Sequence, residues 1–255
     1  MKPLIAVVGK GGTGKSTVSA ILIRLLIEQG LRPVFAVDAD PNNTLGPFLG
    51  MHCARTIGEI RDKTLEEKEK ISGIPKERLL EMKIEECLEE SSGFDLITMG
   101  KSEGPGCYCY VNTLLRRTLD RLRSSYSVTV VDNAAGMEHI SRMNTNAIDC
   151  LMLVCEPTIV SARAAARINN LAEHLQVEVA RRVLVWNKVK GFHPPDAARA
   201  VVEEDQFDDV VVLPFHEEAA RLSLEERNVM DITIPDAFTA LVPACMPQMS
   251  PALKG

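Results

Sequence analysis

Short apolar runs alternate with longer amphipathic stretches along most of the chain. The first run, residues 4–8, is apolar throughout, which is typical of a strand buried on both faces. Residues 15–29 then repeat apolar side chains at three- and four-residue spacing, which predicts an amphipathic helix that stops at Gly30. The chain therefore opens with a strand followed by a helix.

Six more apolar runs predict further strands, with helical stretches between most of them. These runs cover residues 33–37, 95–99, 128–131, 151–154, 183–186 and 210–213. Repeated strand and helix units pack when the crossover helices cover both faces of one sheet. The pattern therefore predicts an α/β fold with a doubly wound, mostly parallel sheet.

The domain organisation follows from the same pattern. No internal repeat, low-complexity tract or long linker interrupts the sequence, so we predict a single domain over residues 1–255. Residues from about 55 to 92 are richer in Glu and Lys than their surroundings. This stretch predicts a charged helical excursion at the surface of that domain.

Composition and charge narrow the range of partners. The chain is 45% hydrophobic and 25% charged, and its 35 acidic residues outnumber its 29 basic ones. No run of Lys and Arg offers a footprint for phosphate backbones or anionic lipid, so we predict neither nucleic acid nor membrane as a partner. The N-terminal apolar run is too short for a signal peptide, and we expect a cytoplasmic location.

A glycine-rich loop joins the first strand to the first helix and fits the Walker A pattern of a P-loop NTPase. Backbone amides of such a loop point at phosphates, the helix dipole favours the same anion, and Lys15 would neutralise its charge. Ser16 would hold magnesium. The predicted nucleotide-binding residues of the loop are Gly9, Lys10, Gly11, Gly12, Thr13, Gly14, Lys15, Ser16 and Thr17.

Three aspartates follow predicted strands, where ligands collect in open α/β sheets. Asp132 ends the run 128–131 and is the predicted Walker B carboxylate near magnesium. Either Asp38 or Asp40 is a candidate to orient the attacking water. The alternative for this pair is a surface turn, since Asp before Pro41 is common turn chemistry.

The base-binding end is predicted from residues that follow the last two strands. Asn187 would pair with the edge of a purine, and Lys190 stands where guanine-binding sequences carry an Asp, so adenine is favoured. Pro214 and Phe215 would flank the base. The alternative is that Asn187 is simply a loop residue. The predicted cofactors are ATP or ADP with magnesium.

Lys10 gives the loop the form Lys-Gly-Gly-Thr-Gly-Lys-Ser, which resembles the deviant Walker A ATPases. That group includes septum-site and plasmid-partition ATPases, nitrogenase iron protein and metal-cluster maturation factors. The resemblance implies a homodimer in which Lys10 contacts nucleotide phosphate across the two-fold axis. The catalytic residues expected on this basis are Lys10, Lys15, Asp38, Asp40 and Asp132.

A Cys-Tyr-Cys motif follows Gly104-Pro105-Gly106, in a loop at about 100–110. This motif resembles that of the carbon monoxide dehydrogenase maturation ATPases of the CooC type and of the related acetyl-CoA synthase maturation ATPases. Asn133-Ala134, after the predicted Walker B aspartate, departs from the pair that we expect in that family.

Cys107 and Cys109 carry the metal prediction. Two thiolates at positions i and i+2 of an extended loop lie on one side and chelate one soft or borderline ion. Four-coordinate nickel or zinc needs two more ligands, which a symmetric dimer supplies from its second chain. The alternative is a pair of buried or idle thiols.

The leading hypothesis is an ATP-dependent metallochaperone, a nucleotide- and metal-dependent homodimer that inserts nickel into carbon monoxide dehydrogenase or acetyl-CoA synthase. One alternative is an iron–sulfur electron carrier of the nitrogenase iron protein type, although residues 132–142 hold no cysteine. Another is a MinD/ParA-type positioning ATPase, although residues 243–255 form no basic amphipathic helix.

Overall fold

A computed structural model describes residues 2–53, 55–60, 76–101, 117–134, 147–174, 177–225 and 227–247. Ten strands are present in this part of the chain. They are β1 (Leu4–Gly9), β2 (Val34–Asp38), β3 (Leu88–Glu90), β4 (Phe94–Thr98), β5 (Val128–Asp132), β6 (Ala147–Ile148), β7 (Cys150–Cys155), β8 (Glu178–Val179), β9 (Arg182–Val189) and β10 (Asp209–Pro214).

Helices connect most of these strands. They are α1 (Lys15–Glu28), α2 (Leu45–Phe48), α3 (Lys76–Glu85), α4 (Ile159–His174), α5 (Asp196–Val202), α6 (Glu217–Glu225) and α7 (Leu241–Cys245). Residues 57–60 and 117–123 are also helical. Short 3₁₀ turns form at Glu204–Gln206, Val229–Asp231 and Asp236–Ala240.

Eight strands form one sheet in the order β10-β9-β7-β1-β5-β2-β4-β3. Every neighbouring pair is parallel except β3 and β4, which are antiparallel. The remaining two short strands, β6 and β8, pair with each other. The predicted α/β fold with a doubly wound, mostly parallel sheet is therefore confirmed.

Two apolar cores lie on opposite faces of the sheet, as the side-chain alternation of β1 shows. Ile5 and Val7 pack into the core that contains α1, whereas Leu4 and Val8 pack into the core that contains residues of α4. Because both faces are covered, the central strands are continuous apolar runs. The strand order reverses direction around β1, which makes the carboxyl edge beside it the expected ligand site.

Each predicted strand overlaps a strand of the large sheet, with shifts of up to three residues at the ends. The strand β9 runs three residues beyond the predicted end at 186, so Asn187 lies inside a strand. The edge strand β3 was not predicted, since its sequence Leu-Glu-Glu is short and largely polar. Within the predicted excursion the structure describes residues 57–60, α3 and β3, and the single-domain boundary stays a prediction.

Candidate nucleotide site

The glycine loop lies between β1 and α1, at the carboxyl edge of the sheet. Gly14 precedes the first residue of α1 with a φ of 89°, and Gly12 has a φ of 85°. Residues other than glycine rarely adopt this left-handed backbone conformation. A Cβ added to Gly14 would also lie 2.5 Å from Nδ2 of Asn187. The loop therefore requires glycine at position 14 for its backbone and for its contact with β9.

Lys15 is a largely buried ammonium group at the start of α1. The residue is 7% exposed, and its Nζ donates a hydrogen bond to the carbonyl of Lys10 at 3.4 Å. Burial lowers the pKa of Lys15, while the nearby carboxylates of Asp132 and Asp40 raise it. A phosphate in the loop would supply a matching negative charge, so the environment of Lys15 suits an anionic ligand.

The residues predicted to hold magnesium lie close together beneath the loop. The hydroxyl of Ser16 is 2.9 Å from that of Thr44, and Ser19 donates a hydrogen bond to Oδ1 of Asp132 at 3.0 Å. Burial raises the pKa of Asp132, and Ser16 is close enough to its carboxyl to lower that pKa. Oδ2 of Asp132 is buried and makes no hydrogen bond of normal geometry with the described residues. A buried carboxylate oxygen that lacks such a bond, beside hydroxyl groups, fits the oxygen ligands that magnesium prefers.

Asp38 anchors the loop that follows β2. Its side chain is fully buried and accepts hydrogen bonds from the backbone amides of Asp40 at 3.0 Å and Leu45 at 2.8 Å. Burial, and then the charge of Asp132, raises the pKa of Asp38 to about 7, against the hydrogen bonds that lower it. Asp38 thus holds the start of α2 in place beside the phosphate loop.

Asp40 has a different environment from Asp38. It lines the cavity beside the phosphate loop, and its Oδ1 accepts hydrogen bonds from the backbone and side chain of Asn42 at 2.9 and 3.0 Å. Asp40 is therefore a carboxylate at the wall of the cavity. The structure therefore gives Asp38 and Asp40 different environments, which the sequence alone does not distinguish.

A cavity of about 940 Å³ runs from the phosphate loop to the predicted base-binding end. This volume lies in the range of small-molecule and cofactor sites. The predicted residues that line it are Gly11, Gly12, Gly14, Lys15, Ser16, Thr17, Asp40, Asn187, Pro214 and Phe215. The predicted residues outside its lining are Gly9, Lys10, Thr13, Asp38 and Asp132.

The amide of Asn187 contacts the phosphate loop directly. Its Nδ2 donates a hydrogen bond to the carbonyl of Thr13 at 2.8 Å, and its Oδ1 accepts one from the backbone amide of Lys188 at 2.9 Å. Phe215 is 44% exposed at the cavity, with Nζ of Lys190 5.5 Å from its ring centre. Asn187 therefore supports the loop, and its pairing with a purine stays a prediction.

Three residues at the site were given no role from the sequence. Lys188 donates from Nζ to the carbonyl of Gly12 at 2.6 Å and forms an ion pair with Glu156 at 2.7 Å. Thr44 is the hydroxyl partner of Ser16. Glu156 and Lys188 each stand at the carboxyl end of a predicted strand, and that position was the available signal.

Cys107 and Cys109 lie outside the described residues, as does the segment 135–146 after Ala134. Within the part of the chain that is described, no group of three or more His, Cys, Asp or Glu side chains is arranged to hold a metal ion. In that same part, no helix is long and apolar enough to span a membrane.

A parallel sheet with a glycine loop, a buried lysine and a buried aspartate at its switch point defines a nucleotide-binding protein of the P-loop class. The chain belongs to the CobQ/CobB/MinD/ParA nucleotide binding domain family, whose model matches residues 4–229.

Two proteins of similar sequence support this family assignment. An uncharacterized ATP-binding protein of Methanocaldococcus jannaschii is 40% identical over 190 residues, which cover 73% of this chain and 75% of that protein. The carbon monoxide dehydrogenase accessory protein CooC of Rhodospirillum rubrum is 32% identical over 232 residues, which cover 83% of each chain.

The fold is also that of a solved structure, the cell division ATPase MinD of Pyrococcus furiosus. The TM-score is 0.67 at 20% sequence identity, and the match covers 98% of this chain and 99% of that one. At this identity the likeness concerns the fold alone.

Proposed function

We propose that this chain is a magnesium-dependent ATPase that works as a homodimer and matures a nickel enzyme. The observation that carries the ATPase part is a cavity that reaches from Lys15 and Ser16 to Asn187 and Phe215. The carboxylate of Asp132 is buried beside Lys15 and Ser16, behind the cavity wall. A cavity with a cationic phosphate end, a carboxylate and an aromatic far end suits a nucleoside triphosphate.

Each residue has a distinct task in this proposal. Lys15 and the loop amides bind the phosphates, and Asp40 orients the attacking water because it faces the cavity. Ser16 and Asp132 would hold magnesium, which neutralises charge that develops on the phosphates. Lys10, which is exposed, would reach the nucleotide of a second chain, as the resemblance to deviant Walker A ATPases implies.

The client part of the proposal rests on one relative and on the Cys-Tyr-Cys motif. A relative with 32% identity is named as a carbon monoxide dehydrogenase accessory protein. Cys107 and Cys109 of two chains would together bind one nickel ion as cargo, with zinc as the competing ion. We propose carbon monoxide dehydrogenase or acetyl-CoA synthase as the client, a cytoplasmic location, and no role in binding nucleic acid or membrane.

Metal titration of the purified full chain tests the client part. We expect about one nickel or zinc ion per two chains in the presence of nucleotide, and we expect Cys107→Ala/Cys109→Ala to lose it. Cys53→Ala is the matched control, since Cys53 is a half-buried thiol whose Sγ lies 2.8 Å from the hydroxyl of Thr98. Unchanged stoichiometry in the double variant would contradict a role for the motif.

Two further measurements address the alternative functions. An iron–sulfur absorption band after anaerobic purification would favour an electron carrier over a nickel chaperone. ATP-dependent co-sedimentation with DNA or with liposomes would favour a positioning ATPase.

A further inference from the structure

Lys188 contacts the phosphate loop at the cavity wall, and Glu156 contacts Lys188. We infer that they form a clamp that fixes the shape of this loop, in which Glu156 is a positioning residue that acts through Lys188. The inference rests on the proposed nucleotide-binding function. It assigns a task to two residues that neither the loop motif nor the metal motif includes.

The contacts of Lys188 carry the first step. Its ammonium group is shared between the carbonyl of Gly12 at 2.6 Å and the carboxylate of Glu156 at 2.7 Å. The neighbouring Asn187 binds the next carbonyl of the loop, that of Thr13. Two successive loop carbonyls are therefore held by two successive residues of β9.

The orientation of the loop peptides follows from these contacts. A trans peptide places its carbonyl and its N–H on opposite sides. Because the carbonyls of Gly12 and Thr13 are held toward β9, the N–H groups of the same peptides, those of Thr13 and Gly14, are turned away from that strand. The N–H of Thr13 donates a long hydrogen bond, 3.4 Å, to the carbonyl of Lys10 within the loop. Orientation of backbone amides is what allows a glycine loop to bind phosphate, so the clamp acts on the property that determines affinity.

The backbone of Lys188 gives independent support. Lys188 has a φ of 59°, in the left-handed region that a residue with a side chain rarely adopts. Its amide is held in this conformation by Oδ1 of Asn187. Such strained residues persist where the surroundings fix them and cluster at functional sites.

Glu156 is itself fixed by the start of α4. Its backbone amide donates a hydrogen bond to the buried hydroxyl of Ser161 at 2.9 Å, and its carbonyl accepts one from the amide of Thr158. The carboxylate therefore stands at a defined place beside Lys188. Since it neutralises the lysine, the effect of Lys188 on the loop is mainly one of geometry.

Calorimetric titration of the full chain with Mg-ADP, together with steady-state ATP hydrolysis, tests the clamp. We expect Lys188→Met to weaken Mg-ADP binding about tenfold, equivalent to about 1.4 kcal/mol, and Glu156→Gln about threefold. The double variant should bind no worse than Lys188→Met alone, since Glu156 acts through the lysine. KM for ATP should rise while kcat stays within about twofold, and Lys188→Arg should retain most of the affinity.

The matched control is Glu86→Gln, which breaks an ion pair with Arg55 of similar length, 2.6 Å, away from the cavity lining. It should leave binding unchanged. A wild-type chain that binds no Mg-ADP would contradict the proposed function itself. A wild-type chain that binds, with Lys188→Met within twofold of it, would overturn the clamp, and losses that multiply in the double variant would overturn the positioning role of Glu156.

Discussion

Asp38 and Asp132 are register partners at the carboxyl ends of the neighbouring parallel strands β2 and β5, and both side chains are fully buried. Burial is the largest cause that raises the pKa of each carboxyl, to about 7 for Asp38 and to about 6 for Asp132. The folded protein without nucleotide therefore binds protons here that the unfolded chain releases.

The free energy of unfolding of the metal-free protein should consequently contain a contribution that falls as the pH rises from about 4 to about 7. A carboxyl whose pKa is raised in the folded state is stabilising while it is protonated, and that stabilisation is lost as the pH passes the folded-state pKa. Urea unfolding in the presence of EDTA measures this change. Trp186, the single tryptophan and fully buried, reports unfolding by fluorescence.

Asp132→Asn should stabilise the metal-free protein and abolish its magnesium-dependent activity. At pH 8 it removes a buried charge and keeps an oxygen for the hydroxyl of Ser19, so we expect the metal-free protein to gain about 1–3 kcal/mol. Magnesium-dependent nucleotide binding and hydrolysis should be lost. Asp196→Asn, at a fully exposed carboxylate, is the control, and an equal response of the two variants would contradict the account.

Asp40→Asn should lower kcat for ATP hydrolysis by about 100-fold or more while Mg-ADP affinity stays within about threefold. The reason is that Asp40 faces the cavity and, in our proposal, orients the attacking water. Asp38→Asn is the informative comparison. Since Asp38 anchors the amides of Asp40 and Leu45, its replacement should weaken binding and turnover together. Full turnover in Asp40→Asn would exclude it as the water-orienting group.

Local sequence patterns predicted the strands and the glycine loop, because each depends on residues that are close in the chain. Continuous apolar runs identify the buried parallel strands. The strand β3 was not predicted, because its sequence Leu-Glu-Glu contains no such run. The loop was recognisable because its glycines, Lys15 and Ser16 act at fixed spacing. Within β9 the apolar run ends at 186, whereas the pairing with β10 continues to Val189.

The different roles of the site residues depend on contacts between residues that are far apart in the sequence. Asp38 and Asp40 look equivalent in the sequence, and the pairing of β2 with β5 is what buries Asp38 beside Asp132. Glu156 and Lys188 are 32 residues apart and meet because β7 pairs with β9. No local periodicity encodes such a contact, since it arises from the order of strands in the sheet.

Gly14→Ala should destabilise the folded protein by about 2 kcal/mol or more. Its φ of 89° disfavours a side chain, and the added Cβ would lie 2.5 Å from Nδ2 of Asn187. Gly30→Ala is the matched control, because Gly30 has a φ of 80° and nothing within 4 Å of an added Cβ. The control should lose only about 1 kcal/mol. Equal losses would mean that the contact with Asn187 relaxes freely.

Gly12→Ala should weaken ligand binding much more than it lowers the stability of the fold. Gly12 has a φ of 85°, and an added Cβ would meet nothing within 4 Å, so its loss of stability should match that of Gly30→Ala. Gly12 lines the cavity, however, and the added methyl group would stand where we place the phosphates. Mg-ADP affinity should therefore fall at least about tenfold in Gly12→Ala and stay unchanged in Gly30→Ala. Wild-type affinity in Gly12→Ala would show that phosphate binds elsewhere, because a loop that cradles it has no room for that side chain.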